Sequence, residues 1–322
     1  MMKRSHPVEL QAPDLSAWEN SNTGVPYVWS FDSGKPGPHV MVQALTHGNE
    51  ICGAIVVDWL MRQNVRPHAG RLTIAFANML AYANWDPLNP SKSRFVDEDY
   101  NRVWGDDVLL GSRDSAELRR ARVLRPFVDS CDYLLDIHSM SEPCAPIMVC
   151  GATGQGGEKS AALSKLLGLP ENLLIDTGHP AGLRMIERGG FGKPNDPRTG
   201  LLIECGQHWE KSSVDVANDS LLLFLKHFGV IDAAFAQNAL RQALPARQRI
   251  IRVTQAVVAN STAFSFVKPY TGLEVIAKKG DLIATDGDER IVAPYDDTVL
   301  VMPSTSNVRV GATTVRFGRF ED

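Results

Sequence analysis

The 322-residue chain has little with which to staple itself together or to hold a polyanion. Its five cysteines, Cys52, Cys131, Cys144, Cys150 and Cys205, are odd in number and widely spread. No two form a CxxC pair, which argues against a thiolate zinc site or a dithiol redox motif. Most sit within apolar runs, where a reduced cysteine behaves as a small hydrophobe. The expectation is therefore a cytoplasmic protein with free thiols. No apolar stretch approaches the ~20 residues that cross a bilayer. The basic start, Met1-Met2-Lys3-Arg4-Ser5-His6-Pro7, lacks the apolar centre of a signal peptide. The net charge is a mild -4 and no run of Lys or Arg occurs, so neither nucleic acid nor a membrane is an expected partner. There is no internal repeat and no low-complexity tract.

What remains is 44% hydrophobic and 22% charged, an ordinary globular composition. The length predicts two domains, or one large and one small. Up to about residue 245 the chain alternates strands and helices. Strands are expected at residues 27–31, 40–45, 72–77, 133–137, 147–150 and 201–205. Helices are expected at 51–63, 115–128 with Asp114 as N-cap, 159–167 and 214–228. Continuous apolar strands between helices predict a largely parallel sheet covered on both faces. Residues 78–111 are long, polar and irregular, which is common in functional segments. After Pro245 the texture changes to short β-branched segments at 250–253, 274–277, 281–284, 298–302 and 308–310, punctuated by Gly, Pro and Asp. These predict a small all-β unit over 246–322. Its Gly280-Asp281-Leu282-Ile283 turn resembles a barrel-sandwich module of the biotinyl/lipoyl type, without an evident cofactor-bearing lysine hairpin. Lys278-Lys279 reads as a solvated pair.

Four pieces carry chemistry. His47-Gly48-Asn49-Glu50 follows the apolar run 40–45 and opens a helix, so an imidazole and a carboxylate stand together at the C-terminal edge of the sheet. Leu134-Leu135-Asp136-Ile137-His138-Ser139 ends a buried strand in residues that carry or accept charge, and buried charges need partners. His138 would complete a set of two histidines and one glutamate, which leaves a fourth zinc position open. Asp136 would then brace a ligand or the adjacent loop. Arg94-Phe95-Val96-Asp97-Glu98-Asp99-Tyr100-Asn101-Arg102 offers guanidinium groups suited to a carboxylate, or equally a solvated loop balanced by its own acids. Glu204, in Leu201-Leu202-Ile203-Glu204-Cys205-Gly206, is a strand-end carboxylate that could serve as a base or sit in a salt bridge. His179 and His208 lie in loops that either line a pocket or stay at the surface, and Trp104 and Trp209 either wall a cleft or pack.

In this order the pieces resemble the succinylglutamate desuccinylase/aspartoacylase family, relatives of the zinc carboxypeptidases. HGNE matches two of that family's zinc ligands. Asp99-Tyr100-Asn101-Arg102 stands where the family has D-L-N-R, and Asp136-Ile137-His138 where it has D-L-H. The Arg-Phe-x-x-x-Asp-x-Asn-Arg spacing carries an oxyanion-assisting arginine onto Arg94. The resemblance implies a catalytic domain over 1–245 and one Zn2+ on His47, Glu50 and His138. It further implies Glu204 as base, Arg94 at the oxyanion, and Asn101 and Arg102 on the substrate. The implied reaction is amide hydrolysis of a small N-acylated amino acid or related amine. A metallocarboxypeptidase acting on short peptides and a non-catalytic binding protein on the same fold are the alternatives, and a homo-oligomer stays open. Arg184 is a candidate second pocket arginine, and Tyr270 and Tyr295 are candidates for a tyrosine from the small domain.

Overall fold

A computed structural model describes residues 6–304 and 308–321. Its strands are β1 (Val28–Asp32), β2 (His39–Ala44), β3 (Arg71–Phe76), β4 (Tyr133–Met140), β5 (Ile147–Ala152), β6 (Asn172–Asp176), β7 (Thr199–Gln207), β8 (Arg249–Val258), β9 (Phe264–Phe266), β10 (Val275–Ile276), β11 (Leu282–Asp286), β12 (Glu289–Val292), β13 (Thr298–Val301) and β14 (Thr313–Glu321). The helices are α1 (Ile51–Arg62), α2 (Met79–Tyr82), α3 (Asp106–Leu109), α4 (Ala116–Ser130), α5 (Gly157–Leu167), α6 (Lys211–His227) and α7 (Ala233–Ala239).

The main sheet runs β1-β3-β2-β4-β7-β5-β6-β8-β14-β13-β10. Its centre, β3-β2-β4-β7, is parallel, as are β5-β6 and β6-β8, while β7 meets β5 antiparallel. The continuous apolar strands explain this. Val40 to Ala44 and all of β5 and β6 are buried, so both faces need cover. One face packs on α1, α5, α6 and α7 through Val56, Leu60, Leu163, Leu221, Phe224 and Ala236. The other packs on α4 and the irregular segment before it, through Leu118, Leu124, Val128, Tyr100 and Trp104.

The mixed α/β architecture matches expectation, and so does a small antiparallel sheet near the C-terminus, β12-β11-β9. The β-rich remainder is joined to the main sheet edge to edge. β8 pairs in parallel with β6 on one side and antiparallel with β14 on the other. Between β8, β13 and β14 and the smaller sheet lies a separate apolar core that includes Val257, Phe264, Ile283, Leu300, Val315 and Phe317.

Several boundaries differ from the sequence reading. Ser115, not Asp114, caps α4, its hydroxyl accepting from the Leu118 N–H at 3.0 Å. The strand expected at 308–310 lies instead at β14, because Gly311 turns the chain at φ +81° just before it. β6 escaped notice because a five-residue apolar run carries no usable period. Among the described residues no helix is long and apolar enough to cross a membrane.

Candidate metal centre

The site grows from the C-terminal end of β2. Leu45, fully buried, takes φ +59°, a strained conformation for a residue with a side chain. It swings the chain out of the strand and into Thr46-His47-Gly48-Asn49-Glu50, after which α1 begins. Gly48 is required by close approach. A Cβ there would lie 2.4 Å from Ser93 O and 2.5 Å from Tyr82 N, and its N–H donates to Arg94 O at 3.1 Å. The turn is thus pressed beneath the segment that carries Arg94. Trp209, 6% exposed, closes the other side by donating its indole N–H to Asn49 O at 3.2 Å.

His138, on the neighbouring strand β4, faces that turn. Glu50 accepts from both imidazoles: Oε1 from His47 Nδ1 at 2.7 Å, and Oε2 from His138 Nδ1 at 2.9 Å. All three residues are buried, and one ligand atom from each lies within 4.8 Å of the others. Each imidazole turns its second nitrogen to another carboxylate. His47 Nε2 meets Asp99 Oδ1 at 2.9 Å, and His138 Nε2 meets Asp136 Oδ2 at 2.7 Å. This matches the outer shell that fixes tautomer and orientation in histidine metal sites. Asp136 Oδ1 in turn accepts from the Thr46 hydroxyl at 2.7 Å, and Thr46 Oγ1 from Gln43 Nε2 at 2.8 Å.

Glu204 is the Cα partner of His138 across the parallel β4–β7 pair. Its Oε2 is buried and, among the described residues, accepts no hydrogen bond. Burial pushes its carboxyl up to about 7, against the pull of His138. Arg94 completes the group. It donates from Nη1 to Glu50 Oε1 at 3.1 Å and from Nη2 to Asp99 Oδ2 at 3.3 Å. Burial works against the charged forms of Glu50 and His138, but Coulomb attraction within the cluster wins. The imidazoles hold Glu50 well below the usual carboxylate range, and Asp136 and Glu50 hold His138 well above the ordinary imidazole value.

The donor set fits a divalent cation. Two imidazoles and a carboxylate converge, and their outer partners are already in place. Glu50, Asp99 and Asp136 set three carboxylates around the two imidazoles, negative charge that a dication bound to neutral imidazoles would help to offset. Three such side chains would leave a fourth position open, as in catalytic rather than structural zinc sites.

Asn101 and Arg102 follow Asp99 in the chain. Asn101, 2% exposed, accepts the Met185 N–H on Oδ1 at 3.0 Å. Arg102 donates to Asn101 O at 2.7 Å, and among the described residues no carboxylate lies within ion-pair distance of it. Burial and the like charges of Arg184, Arg94 and Arg316 push it down to about 10. The guanidinium of Arg316, on β14, also has no hydrogen bond or ion pair among the described residues, and its charge couples to those of Asp176, Arg184 and Glu204. Sequence reasoning passed over Arg316, whose strand lies more than a hundred residues beyond Glu204 in the chain. It also missed the link from Asp99 to His47, although Asp99 stands within the quoted motif.

Other candidates settle differently. Arg184 is 5% exposed and committed to Asp176 at 2.7 Å and Glu187 at 2.6 Å. Tyr270 is buried in the core of the small β unit, and Tyr295 hydrogen-bonds Thr254 at 2.6 Å. Trp104 is fully buried against Tyr100. His208 is not at the surface. It is 3% exposed, hydrogen-bonds Ser139 Oγ at 2.8 Å, and burial pushes it down to about 3.

Residues 36–208 match the sequence model of the succinylglutamate desuccinylase/aspartoacylase catalytic domain. A probable aspartoacylase from Parasynechococcus marenigrum (strain WH8102) is 32% identical over 137 residues, 41% of this chain and 44% of that protein. The match thus spans less than half of the relative's length. A succinylglutamate desuccinylase from Vibrio cholerae superposes with a TM-score of 0.66 at 16% identity, over 92% of this chain and 88% of that one. A succinylglutamate desuccinylase/aspartoacylase from Rhodobacter sphaeroides gives 0.62 at 19%, over 89% and 86%. At these identities the superpositions speak for the fold.

Proposed function

We propose, from the premise that this chain belongs to the succinylglutamate desuccinylase/aspartoacylase family, that it is a zinc-dependent hydrolase of the amide bond in a small N-acylated amino acid or related amine. The observation that carries the reading is the convergence of His47, Glu50 and His138 beside the unbonded, buried oxygen of Glu204. Zinc held by those three residues would supply Lewis-acid polarisation of the scissile carbonyl and a water acidic enough to lose its proton at neutral pH.

Glu204 is the group placed to take that proton at Oε2 and to return it to the leaving amine. That oxygen is buried and accepts no hydrogen bond among the described residues, so it is free to receive the proton. Arg94, 35% exposed and braced by Glu50 and Asp99, presents positive charge where the carbonyl oxygen becomes anionic. Asn101 and Arg102 orient the substrate. Arg102 and Arg316 have no carboxylate within ion-pair distance among the described residues, so they favour a substrate that brings its own.

The test is Glu204→Gln, which keeps the size of the side chain and removes the base. The variant should bind zinc with one ion per chain, by metal analysis, and lose about 100-fold or more in kcat on N-acyl amino acids. Most of the activity surviving in a zinc-loaded variant would sink the assignment. Short peptides assayed alongside separate deacylation from carboxypeptidase action.

A further inference from the structure

Arg94 and Asp99 both come from a segment with almost no regular structure, residues 94–99, and something must hold it against the metal ligands. The holding group is Glu117, in the first turn of α4. It is fully buried. Its Oε1 accepts from the Val96 N–H at 2.7 Å and from Asn78 Nδ2 at 3.0 Å. Its Oε2 accepts from the Asp97 N–H at 3.0 Å and the Glu98 N–H at 3.2 Å. One carboxylate thus gathers three consecutive backbone donors. Burying a carboxylate is costly unless its oxygens are satisfied, and here four donors satisfy it near a helix N-terminus that favours negative charge.

The grip is reciprocal. Asp97 Oδ2 accepts from the Ala116 N–H at 2.7 Å, tying the segment back to the start of α4. Asn78 links the same carboxylate to the strand edge, since its N–H donates to Leu45 O at 2.8 Å, the residue from which the His47 turn begins. None of these contacts touches His47, Glu50 or His138. They fix the piece of chain that supplies one orienting carboxylate and one guanidinium to them.

We propose that Glu117 is a positioning residue: it holds the backbone of residues 96–98 so that Arg94 and Asp99 meet the His47–Glu50 pair. For catalysis this rests on the proposed hydrolase reading, while for metal binding it rests on geometry alone. Substituting Gln replaces an acceptor with an NH2 that faces N–H donors, so the segment must shift. A small misplacement of a group that acts in the transition state costs up to about 100-fold in rate.

Two double-mutant cycles decide it. Glu117→Gln should lower kcat by about 10- to 100-fold with KM within about threefold. It should cost less than about threefold once Arg94→Ala is already present, because the positioned group is gone. In zinc titration against a chromophoric chelator, Glu117→Gln should weaken affinity about tenfold in the native chain, and little further in an Asp99→Asn background. Equal losses in both backgrounds, or native kcat and zinc affinity in Glu117→Gln, overturn the proposal. If Glu117→Gln does not fold, exposed Asp97→Ala loosens the same tether and should show the same coupling at smaller amplitude, its additivity counting against the proposal equally. A native chain that shows the zinc coupling but hydrolyses no N-acyl amino acid overturns the hydrolase reading and leaves the positioning role standing.

Discussion

His138 hydrogen-bonds the carboxylate of Asp136, two residues earlier on its own strand, and that pair shows how a single side chain orients an imidazole. The carboxylate fixes the orientation of the ring and so which nitrogen faces Glu50. Asp99 does the same for His47 from a different part of the chain. Asp136→Asn should therefore weaken zinc affinity by about 10- to 100-fold without removing a ligand. Chelator competition on folded protein reads this directly, and an unchanged dissociation constant would show that the outer carboxylate is dispensable. The two pairs differed in how far the sequence revealed them. Asp136 stands two positions from its histidine on one strand, so its neighbourhood was plain. Asp99 is 52 residues from His47, and only folding shows which of the neighbouring acids Asp97, Glu98 and Asp99 turns inward.

At the scale of elements, β6 and the loop after it show how charge can order an irregular connection. Asp176 ends β6 and is paired with Arg184, whose guanidinium also reaches Glu187. Burial alone would raise the Asp176 carboxyl, yet Arg184 holds it down at about 2, below its ordinary 3.8. A depressed folded-state value means that the pair's stabilisation is complete above about pH 4 and is lost as pH falls through about 2. The shift corresponds to about 2 kcal/mol. Urea unfolding of the native chain should lose about that much stability between pH 4 and pH 2, beyond what Asp176→Asn loses over the same interval. Parallel pH slopes for the two proteins would disprove the link. Arg184 stood in the sequence only as a candidate for the second pocket arginine that the family resemblance implies. Its acid partners, Asp176 and Glu187, lie close in the chain, but nothing in their spacing says that they turn toward it.

For the whole molecule, the main sheet passes without a break from β2, β4 and β7, which carry the His-Glu-His cluster and Glu204, into the β-rich remainder through β8 and β14. The β-rich part therefore shapes the site as well as flanking it. Arg316 on β14 brings a positive charge that is felt at Glu204 and Arg102. Arg316→Leu should raise KM about tenfold or more for substrates that carry a free carboxylate, with zinc content unchanged. A carboxamide analogue of the same substrate should bind the variant and the native protein alike. Equal KM changes for both substrates would remove Arg316 from the pocket.

The sequence alone determined the alternation of buried strands and helices, because burial on two faces writes itself as continuous apolar runs. Motifs in the sequence that resemble a known family also picked out His47, Glu50, His138 and Glu204, and folding brings the first three together as a group that could hold a metal ion, with Glu204 across the strand pair from His138. Tertiary structure alone decided that Asp99 faces His47, which arginines stay unpaired, and that Glu117 anchors the segment bearing Arg94. These are contacts between residues distant in the chain, and their energies depend on distance and burial, which residue order does not encode.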